Sequence, residues 1–413
     1  MNLSRELCAA RDAADALSGR RDLFDLPDGV IYLDGNSLGA LPRAVGPRLE
    51  AAVSQAWGKD LISSWNVHGW IDLPSRVGAR LARLIGARPH EVIASDSTSV
   101  NLFKLAAAAV AMRKERSVIV TESGNFPTDL YILQGLRDLL GDDLISLRVV
   151  EPEQVAGALD EDVAAVVLTH VHYKSGRLHD MAAITQRAHE VGALALWDLS
   201  HSAGAVELDL NGCGVDLAVG CGYKYLNGGP GAPAFLYVAE RHHDDLRSPL
   251  TGWMGHARPF EFVDTYEPGG GVLRGLCGTP PILGLTALDA ALDVFDGVAM
   301  ADLRAKSQAL GDLFLHLVAG RCADAGLGLA CPTDSALRGS QVSLSHPDGY
   351  AIVQALIERG VTGDFRAPDI LRFGFAPLYV RFVDIWDAVE ILRDVMASET
   401  WREPRFNLKA AVT

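Results

Sequence analysis

Short apolar runs alternate with amphipathic stretches through the middle of the chain, from about residue 90 to about residue 240. The runs have the length and composition of buried strands, and several of the stretches between them have helical spacing. Strands that alternate with helices predict a mostly parallel sheet covered by helices on both faces. The predicted strands are 118–123, 147–150, 163–170, 193–200, 215–220 and 234–239, and the predicted helices are 128–140, 152–159 and 181–191.

A different pattern covers the C-terminal part of the chain, where a long amphipathic helix precedes shorter strands and helices. This order is typical of a smaller α+β domain. The elements predicted there are a helix within 300–326, strands at 340–346 and 370–376, and helices at 350–359 and 383–397.

We therefore expect an α/β protein with a large domain over residues 41–280 and a smaller α+β domain over residues 281–413. The glycine-rich run at 269–281 lies at the approach to that boundary. Residues 1–40 are expected to form an N-terminal segment that packs on one of the two domains.

Composition narrows the class of protein. Of the 413 residues, 49% are hydrophobic and 22% are charged, as in ordinary globular domains. A net charge of −15 without a basic stretch argues against a nucleic-acid partner. No apolar run reaches the roughly 20 residues that a membrane span needs, and residues 1–19 lack the apolar core of a secretory signal. We expect a cytoplasmic protein without a membrane partner.

The cysteines are scattered and show no C-x-x-C spacing. Zinc sites and disulfide frameworks depend on such clustering. We therefore expect free thiols in a reducing compartment and no metal. The six cysteines are at positions 8, 213, 221, 277, 322 and 331.

Lysine is scarce, and one of the seven lysines lies in a run suited to ligand binding. Lys224 lies between Tyr223 and Tyr225 in the glycine-rich run CGYKYLNGGPG. Glycine lets a backbone approach a ligand closely, and a lysine that forms a Schiff base needs a partly desolvated, aromatic-lined site. A solvated surface charge is the ordinary state of a lysine. Lys174, in HYKSGR, is the best competitor.

An acid and a histidine precede this lysine. Asp198 ends the apolar run ALALWD, and His201 follows three residues later. A buried carboxylate is costly unless a cation matches it, and the protonated ring nitrogen of pyridoxal phosphate is such a cation. Asp198 alone is also compatible with a helix cap or a turn, and His201 with a core histidine. With Lys224 they favour pyridoxal phosphate chemistry.

Two further segments favour the same cofactor. Ser97 and Thr98 lead into an alanine-rich helical run, and hydroxyl and N–H groups at a helix start can bind phosphate. Simple capping of that helix is the alternative. Phe126 follows an apolar strand, where its ring can stack on a planar cofactor or pack in the core, and Asp129 begins the next helix.

Nine segments, in this order along the chain, resemble the kynureninase family of pyridoxal-phosphate enzymes of fold type I. The resemblance covers nearly the whole chain and implies an aspartate-aminotransferase-like fold with a mostly parallel sheet in the large domain. No segment departs from the family at a position that carries chemistry. The segments are DGNSLG (34–39), SDSTSVNLFK (95–104), NFPTD (125–129), HYKSGRLHDM (172–181), WDLSHSAGA (197–205), CGYKYLNGGPG (221–231), GWMGH (252–256), CGTPP (277–281) and LRFGFAPLY (371–379).

The resemblance implies roles for individual side chains. Lys224 holds the cofactor and moves protons, Asp198 pairs with the ring nitrogen, and Tyr223 acts as an acid or base. Implied cofactor contacts are Ser97, Thr98, Phe126, Asp129, Thr169, Asp198, His201, Tyr223, Lys224, Trp253 and Thr279, and implied substrate contacts are Arg372, Ser37 and His68.

Arg372 is the implied partner of the substrate α-carboxylate, because a guanidinium binds a carboxylate through two parallel hydrogen bonds. Without the resemblance, a surface ion pair is the simpler interpretation of this residue. Trp253 and Thr279 can come from the partner subunit in this family, so a homodimer with shared active sites is implied. Trp65 and Trp70, together with His68, are candidates for the pocket of an aryl ring.

The implied reaction is the hydrolysis of L-kynurenine, and of 3-hydroxykynurenine, to anthranilate or 3-hydroxyanthranilate and L-alanine. It cleaves the Cβ–Cγ bond of a small amino-acid substrate in the kynurenine pathway of tryptophan degradation and NAD biosynthesis.

Other functions of the same fold are alternatives. An aminotransferase would release a keto acid, and a cysteine desulfurase needs a nucleophilic cysteine on a mobile loop. Cys331, in LACPTD, is the only plausible one, and its neighbours in sequence offer no activating cation. A regulator that kept the fold without the activity would be expected to lack Lys224 or Asp198, and a plain structural oligomer would not need their clustering.

Overall fold

The computed structural model describes residues 3–408, which form two main β-sheets and the helices packed on them. The strands are β1 Phe24–Asp25, β2 Ile31–Tyr32, β3 Leu41–Pro42, β4 Val92–Ala94, β5 Val118–Glu122, β6 Ser146–Val150, β7 Val163–Thr169, β8 Leu194–Asp198, β9 Leu217–Gly220, β10 Phe235–Val238, β11 Gly328–Leu329, β12 Gln341–Ser345, β13 Val361–Thr362, β14 Asp364–Arg366 and β15 Ile370–Gly374. The helices are α1 Arg5–Ala13, α2 Val45–Ala51, α3 Ser64–Val67, α4 Leu73–Leu84, α5 Thr98–Met112, α6 Pro127–Leu140, α7 Met181–Glu190, α8 Ile282–Ala291, α9 Met300–Arg321, α10 Gly349–Glu358 and α11 Phe382–Ser398, and a π-helical segment, Ala52–Asp60, continues α2.

The larger sheet has seven strands in the order β4-β10-β9-β8-β7-β5-β6. Strands β9, β8, β7, β5 and β6 run parallel, whereas β10 is antiparallel to both β9 and β4. Every strand except the edge strand β6 is buried along its whole length. The predicted mostly parallel sheet is confirmed, and its six predicted strands are β5 to β10.

Alternate residues of the strands enter two separate cores, one on each face of the sheet. Leu194 and Leu196 pack in the core that contains α5 and α6, whereas Ala195 and Trp197 pack in the core that contains α7. The predicted helices at 128–140 and 181–191 are α6 and α7, with ends that differ by one residue. None of the helices within residues 3–408 combines the length and the apolar character needed to cross a membrane.

The helix predicted at 152–159 is wrong. The segment instead forms two short 3-10 turns, Pro152–Gln154 and Ala156–Ala158. Gly157 lies in the second turn, and glycine weakens a helix by about 1 kcal/mol relative to alanine. The segment is also shorter than the roughly 12 residues at which a helix begins to hold by itself.

The smaller sheet has four antiparallel strands in the order β11-β12-β15-β14. Helices α9 and α10 pack against this sheet, and α11 packs against both helices. The expected smaller α+β part is therefore present, and α9, β12 and β15 are among its predicted elements. Strand β14 was not predicted, and it places Asp364 directly opposite Arg372 on β15.

The N-terminal segment contacts the smaller sheet, where the N–H of Gly374 at the end of β15 donates a hydrogen bond to the carbonyl oxygen of Leu33 (2.7 Å). Strand β2 pairs in parallel with β13, and α1 packs against α11. The loop at 34–39 then passes the larger sheet, where the N–H of Gly39 donates a hydrogen bond to the carbonyl oxygen of Tyr223 (2.8 Å). This segment therefore connects the small sheet to the turn that contains Lys224.

A buried carboxylate forms several hydrogen bonds at the edge of the larger sheet that lies opposite Lys224. Asp216, just before β9, accepts hydrogen bonds from His189 (2.8 Å), His242 (2.7 Å), Arg241 (2.7 Å) and the N–H of Ala195 (2.8 Å). Burial would raise its pKa, but the hydrogen bonds from the two histidines hold the pKa of Asp216 well below its usual value.

We expect Asp216→Asn to lower the free energy of unfolding by about 2–3 kcal/mol at pH 7, because it removes a buried charge that is hydrogen-bonded on several sides. A carboxyl whose folded pKa is lowered contributes stability above its unfolded pKa of about 3.9 and loses it as the pH falls further. The difference between variant and wild type should therefore shrink between about pH 5 and pH 2. Urea unfolding at a fixed protein concentration measures it, and a constant difference would contradict this role.

Candidate active site

Two parallel strands, β7 and β8, end side by side at Thr169 and Asp198, which are paired in register. The next strand, β9, ends at Gly220, and the chain then turns to Lys224. The carboxyl ends of parallel strands lie at one edge of a sheet, so these segments deliver their side chains to the same place. Thr169, Asp198 and Lys224 are all buried there.

The amine of Lys224 is buried without an acidic partner. Its Nζ lies 2.9 Å from Nε2 of His201, and no carboxylate within residues 3–408 lies within 4.0 Å of it. Two other buried lysines, Lys104 and Lys306, each form an ion pair with an aspartate. Lys224 is thus the buried lysine whose charge is not balanced by a direct contact.

Burial lowers the pKa of Lys224 below its usual value, and the charges of Arg372 and Arg366 lower it further, although Cys221 and Asp198 act in the opposite direction. A larger fraction of this amine is therefore uncharged at neutral pH than that of an exposed lysine. The uncharged amine is the form that attacks a carbonyl carbon. Its environment thus suits Lys224 to covalent chemistry.

His201 is the neutral neighbour of this amine. Burial, followed by the charge of Lys224, lowers the pKa of His201 well below its usual range. The imidazole is therefore uncharged at neutral pH, and in the tautomer protonated at Nδ1 its Nε2 accepts a hydrogen bond from Lys224 Nζ. This contact orients the amine without adding a charge.

Close packing of the backbone explains the glycines around Lys224. A Cβ on Gly39 would lie 2.3 Å from the carbonyl oxygen of Lys224, and a Cβ on Gly222 would lie 2.3 Å from that of Pro233. Asn227 has a left-handed φ of 59°, which asparagine tolerates better than most residues. The run at 221–231 therefore forms a tight turn, with the 34–39 loop packed directly on it.

A second buried carboxyl, Asp129, lies beside Asp198. Burial raises the pKa of Asp129 well above its usual value, and the charge of Asp198 raises it further. Burial also raises the pKa of Asp198, whose Oδ1 accepts a hydrogen bond from the N–H of Ser200 (2.7 Å). Two neighbouring buried carboxyls cannot both be charged at low cost, so one of them holds a proton at neutral pH.

The pKa directions of the two carboxyls indicate which one is protonated. For Asp129, the charge of Asp198 adds to the rise in pKa that burial causes, although Thr169 Oγ1 donates a hydrogen bond to Oδ2 of Asp129 (3.1 Å) and opposes that rise. For Asp198, the hydrogen bonds from Ser200 and the charge of Lys224 oppose the effect of burial. Asp129 therefore takes the proton more readily, and Asp198 is the carboxylate.

This arrangement fits pyridoxal phosphate. The charge of Asp198 has no ion-pair partner among the described residues, and a protonated ring nitrogen would supply one. The ring centroid of Phe126 lies 5.7 Å from Lys224 Nζ, and this side chain is 37% exposed. Phe126 is therefore available to a planar ring rather than enclosed in the core.

Ser97 caps α5, since its Oγ accepts a hydrogen bond from the N–H of Val100 (3.3 Å). Ser97 therefore does cap the helix, as the alternative interpretation of the sequence predicted. Capping leaves other N–H groups of the first turn without partners inside the helix, so it does not exclude an anion there. Ser97 is exposed and Thr98 is half-buried, so a phosphate can reach them.

Arg372 is buried, so the surface ion pair considered from the sequence is not formed. Its Nε and Nη2 donate to the two carboxylate oxygens of Asp364, the first over 2.8 Å. Nη2 also donates to Oγ of Ser37 (2.9 Å), and Nη1 donates to the carbonyl oxygen of Tyr173 (2.6 Å). The structure thus brings Ser37 and Arg372 together.

Tyr223 lies next to the same amine, with its ring centroid 5.8 Å from Lys224 Nζ. Burial raises the pKa of the Tyr223 hydroxyl above its usual value. At neutral pH this side chain is a phenol, so it can donate a proton but does not begin as a base.

Three predicted site residues make no contact with Lys224 within residues 3–408. His68 is half-exposed, and its Nε2 contacts a neighbouring aspartate (2.8 Å). Trp253 packs against the rings of two exposed phenylalanines. Across residues 3–408, neither of these residues nor Thr279 forms a hydrogen bond, ion pair or ring contact with Lys224.

Two charged residues beside the site were not found from the sequence. Asp364 and Arg366 lie on β14, and Arg366 Nη2 lies 2.6 Å from the Asp364 oxygen that Arg372 also contacts. Their segment is short, and glycine and proline flank it, so it resembles a loop. Its pairing with β15 is a tertiary contact, and the alternating D-x-R pattern is the only local signal for it.

Solved structures show the same fold. A cysteine desulfurase from Thermococcus onnurineus superposes with a TM-score of 0.77 at 19% identity, over 92% of this chain and 98% of that chain. A cysteine desulfurase from Escherichia coli gives a TM-score of 0.77 at 18% identity, over 93% and 98% of the two chains. Similarity at this level of identity concerns the fold alone.

Sequence comparison is more specific. Residues 303–392 match the family model of the kynureninase C-terminal domain, and residues 70–321 match that of class-V aminotransferases. A kynureninase from Pseudomonas fluorescens is 53% identical over 99% of this chain and 100% of its own length. One from Burkholderia mallei (strain SAVP1) is 52% identical over the same shares. These matches confirm the resemblance found in the nine segments, and the chain belongs to the kynureninase family.

Proposed function

We propose that this chain hydrolyses L-kynurenine to anthranilate and L-alanine, and 3-hydroxykynurenine to 3-hydroxyanthranilate and L-alanine, with pyridoxal phosphate as its cofactor. The observation that carries the proposal is the buried amine of Lys224, which has no acidic partner within residues 3–408 and lies 5.7 Å from the ring centroid of Phe126. Membership of the kynureninase family supports the choice of substrate. The reaction cleaves the Cβ–Cγ bond of an amino acid whose γ-carbon is a ketone.

The residues that would hold the cofactor are those gathered at the edge of the larger sheet. Lys224 would bind its carbonyl carbon, Asp198 its ring nitrogen, and Phe126 one face of its ring. The start of α5, at Ser97 and Thr98, would receive the phosphate. When bound, the cofactor accepts the electrons left behind when a bond at the substrate α-carbon breaks.

Lys224 also supplies the base. Because burial lowers the pKa of Lys224, its Nζ is uncharged in enough molecules at neutral pH to accept the proton of the substrate α-carbon. His201, 2.9 Å away, keeps the amine oriented and stays neutral. We infer that the same amine can return this proton in a later step.

Tyr223 is the proposed proton donor. Burial raises the pKa of its hydroxyl, so it carries a proton at neutral pH. After the Cβ–Cγ bond breaks, the alanine fragment needs a proton at Cβ, and the Tyr223 hydroxyl can supply it directly or through water. Arg372 would hold the α-carboxylate in place during these steps.

We also propose a homodimer in which Trp253 and Thr279 complete the site of the partner subunit. Exposed apolar side chains on the segment 52–67 and beside Trp253 support this assembly, because clustered apolar surface is typical of interfaces. These side chains are Val53, Trp57, Leu61, Ile62, Val67, Phe260, Phe262 and Val263.

The shared site makes a complementation experiment decisive. Trp253→Ala and Lys224→Ala homodimers should each be inactive, whereas a mixed dimer contains one site with both native residues. The purified, doubly tagged mixed dimer should therefore have about half of wild-type activity, and the unfractionated coexpressed mixture about a quarter under random pairing. Anthranilate fluorescence measures both values. Activity that stays absent in the mixed dimer would place both residues in the same chain's site.

The proposed reaction belongs to the kynurenine pathway of tryptophan degradation, from which NAD biosynthesis also draws. We propose the cytoplasm as its location. All six cysteines are free thiols, as is usual in a reducing compartment.

The direct test supplies the purified holoenzyme with L-kynurenine, 3-hydroxykynurenine and L-cysteine in parallel. We expect fluorescent anthranilate or 3-hydroxyanthranilate, together with alanine, from the first two compounds. Release of sulfur from cysteine as the sole reaction would favour the desulfurase alternative. Burial raises the pKa of the Cys331 thiol, which makes it a poor nucleophile for that chemistry.

A further inference from the structure

Two arginines share one carboxylate on the small-sheet side of the site. Asp364 lies opposite Arg372, and Arg366 Nη2 reaches the same carboxylate over 2.6 Å. Oγ of Ser37 donates to Asp364 (2.8 Å) and accepts from Arg372 (2.9 Å) and Arg366 (3.2 Å). Ser37, Asp364, Arg366 and Arg372 are called the two-arginine cluster below.

Nearly all N–H donors of the Arg372 guanidinium already have hydrogen-bond partners. A guanidinium has five N–H groups, and four of those of Arg372 already bind Asp364, Ser37 and the carbonyl oxygen of Tyr173. One N–H remains, and a single N–H cannot bind a carboxylate through two parallel hydrogen bonds.

Arg366, in contrast, has N–H donors that no described residue binds. Its Nη2 contacts Asp364 and Ser37, and the described residues supply no hydrogen-bond partner for its Nε or Nη1. The side chain is 36% exposed, compared with 2% for Arg372. Arg366 therefore has both the free N–H groups and the access that a ligand needs.

The two-arginine cluster has an excess of positive charge. Arg366 and Arg372 are both cations, whereas Asp364 is the one carboxylate that they share. A further carboxyl, Asp34, is mostly neutral below pH 7, because burial and the charge of Asp364 raise its pKa to about 7. A bound anion would balance the remaining charge.

Contacts link the two-arginine cluster to the catalytic groups. Nη1 of Arg372 donates a hydrogen bond to the carbonyl oxygen of Tyr173 (2.6 Å), and the ring centroid of Tyr173 lies 5.2 Å from that of Phe126. The Phe126 ring centroid lies in turn 5.7 Å from Lys224 Nζ. Burial is the largest cause that lowers the pKa of Lys224, and the charge of Arg366 adds to it.

We propose that Arg366 binds the α-carboxylate of the substrate directly, together with the one free N–H of Arg372, while Asp364 and Ser37 position the two guanidinium groups. This inference rests on the proposed function for the identity of the substrate. Arg366 would form the exposed part of the carboxylate site, and Arg372 would support it from the buried side.

The same guanidinium chemistry would suit the phosphate of the cofactor. The substrate is favoured because Arg366 lies on β14 of the small sheet, linked to Arg372 through Asp364. The start of α5, at Ser97, belongs to the larger sheet and already offers N–H groups to a phosphate.

The test compares L-alanine with ethylamine, which is alanine without its carboxylate. Both are titrated into the holoenzyme, and the change in absorbance of the bound cofactor gives their affinities. We expect Arg366→Gln to weaken L-alanine binding by about 10- to 100-fold, the usual value of charge-assisted hydrogen bonds, and to change ethylamine binding by less than about twofold. The KM for L-kynurenine should rise in parallel with the dissociation constant of L-alanine, and kcat should change less.

Arg366→Lys keeps the charge but loses the planar group, so it should recover only part of the affinity. Arg359→Gln is the matched control, because Arg359 is an exposed arginine that follows α10 of the same region. Its L-alanine binding should equal that of wild type. Thermal unfolding of each variant verifies that it is folded. If Arg366→Gln is not folded, the same measurements are made with Arg366→Lys.

Three outcomes would overturn the proposal. Equal losses for L-alanine and ethylamine would make Arg366 a general support, and faster loss of cofactor with unchanged L-alanine binding would assign it to the phosphate. Unchanged binding of all ligands would remove it from the site. If wild type does not hydrolyse L-kynurenine but Arg366→Gln still loses L-alanine selectively, the proposed function fails and the carboxylate site stands.

Discussion

Replacement of Lys224 with alanine is expected to give a protein without kynurenine hydrolysis and without the absorbance of a cofactor bound covalently to the chain. The variant loses the amine that would hold pyridoxal phosphate covalently and also the base for the α-proton. General acid–base transfer alone is worth about 10²- to 10⁴-fold, so turnover should fall at least about a thousandfold. Absorbance of the purified protein and anthranilate fluorescence measure the two effects separately.

Lys174→Ala is the matched control, because Lys174 is the best competing lysine in the sequence. Its Nζ lies 5.7 Å from the ring centroid of Tyr173. It should retain the yellow colour and most of the activity. Borohydride reduction followed by peptide mapping should find the cofactor on the peptide that contains Lys224. A cofactor attached to Lys174 would contradict the assignment.

Asp198→Asn is expected to keep the colour but to lower kcat by about 10²- to 10⁴-fold, the range found for groups that stabilise charge or protons in the transition state. The amide cannot supply the negative charge that a protonated ring nitrogen requires. Steady-state kinetics with L-kynurenine measure the loss, and absorbance verifies that the cofactor is bound.

Asp129→Asn provides the comparison, since burial and the charge of Asp198 raise the pKa of Asp129 and favour its neutral form. An amide replaces a protonated carboxyl with little change in charge, so we expect a loss within about tenfold. If Asp129→Asn were the more severe variant, the proton would have to lie on Asp198 instead.

The local part of the site is what the sequence predicts well. Strand-end Asp198, the tight turn around Lys224 and the helix start at Ser97 each depend on a few neighbouring residues, and the structure has all three. The parallel strand order then brings Asp198 and Lys224 together without further information. Their assigned roles remain proposals.

The two-arginine cluster could not be found in this way, because it joins three segments that are distant in the chain. Ser37, Asp364 and Arg372 meet through a loop and a short strand pairing that leave little local pattern. The role of His68 stays a prediction: the resemblance implies a substrate contact, and within one chain its Nε2 lies 2.8 Å from Oδ2 of Asp60. Contacts made across a dimer interface lie beyond single-chain patterns altogether.

The most direct measurement of the central claim is the stoichiometry of the reaction. Purified holoenzyme is given a known amount of L-kynurenine, and anthranilate and alanine are counted together in the same sample. Hydrolysis between Cβ and Cγ predicts one alanine for each anthranilate, with no keto acid and no change in the amount of enzyme-bound cofactor. A keto acid formed without anthranilate, or the absence of both products from a yellow protein, would contradict the account.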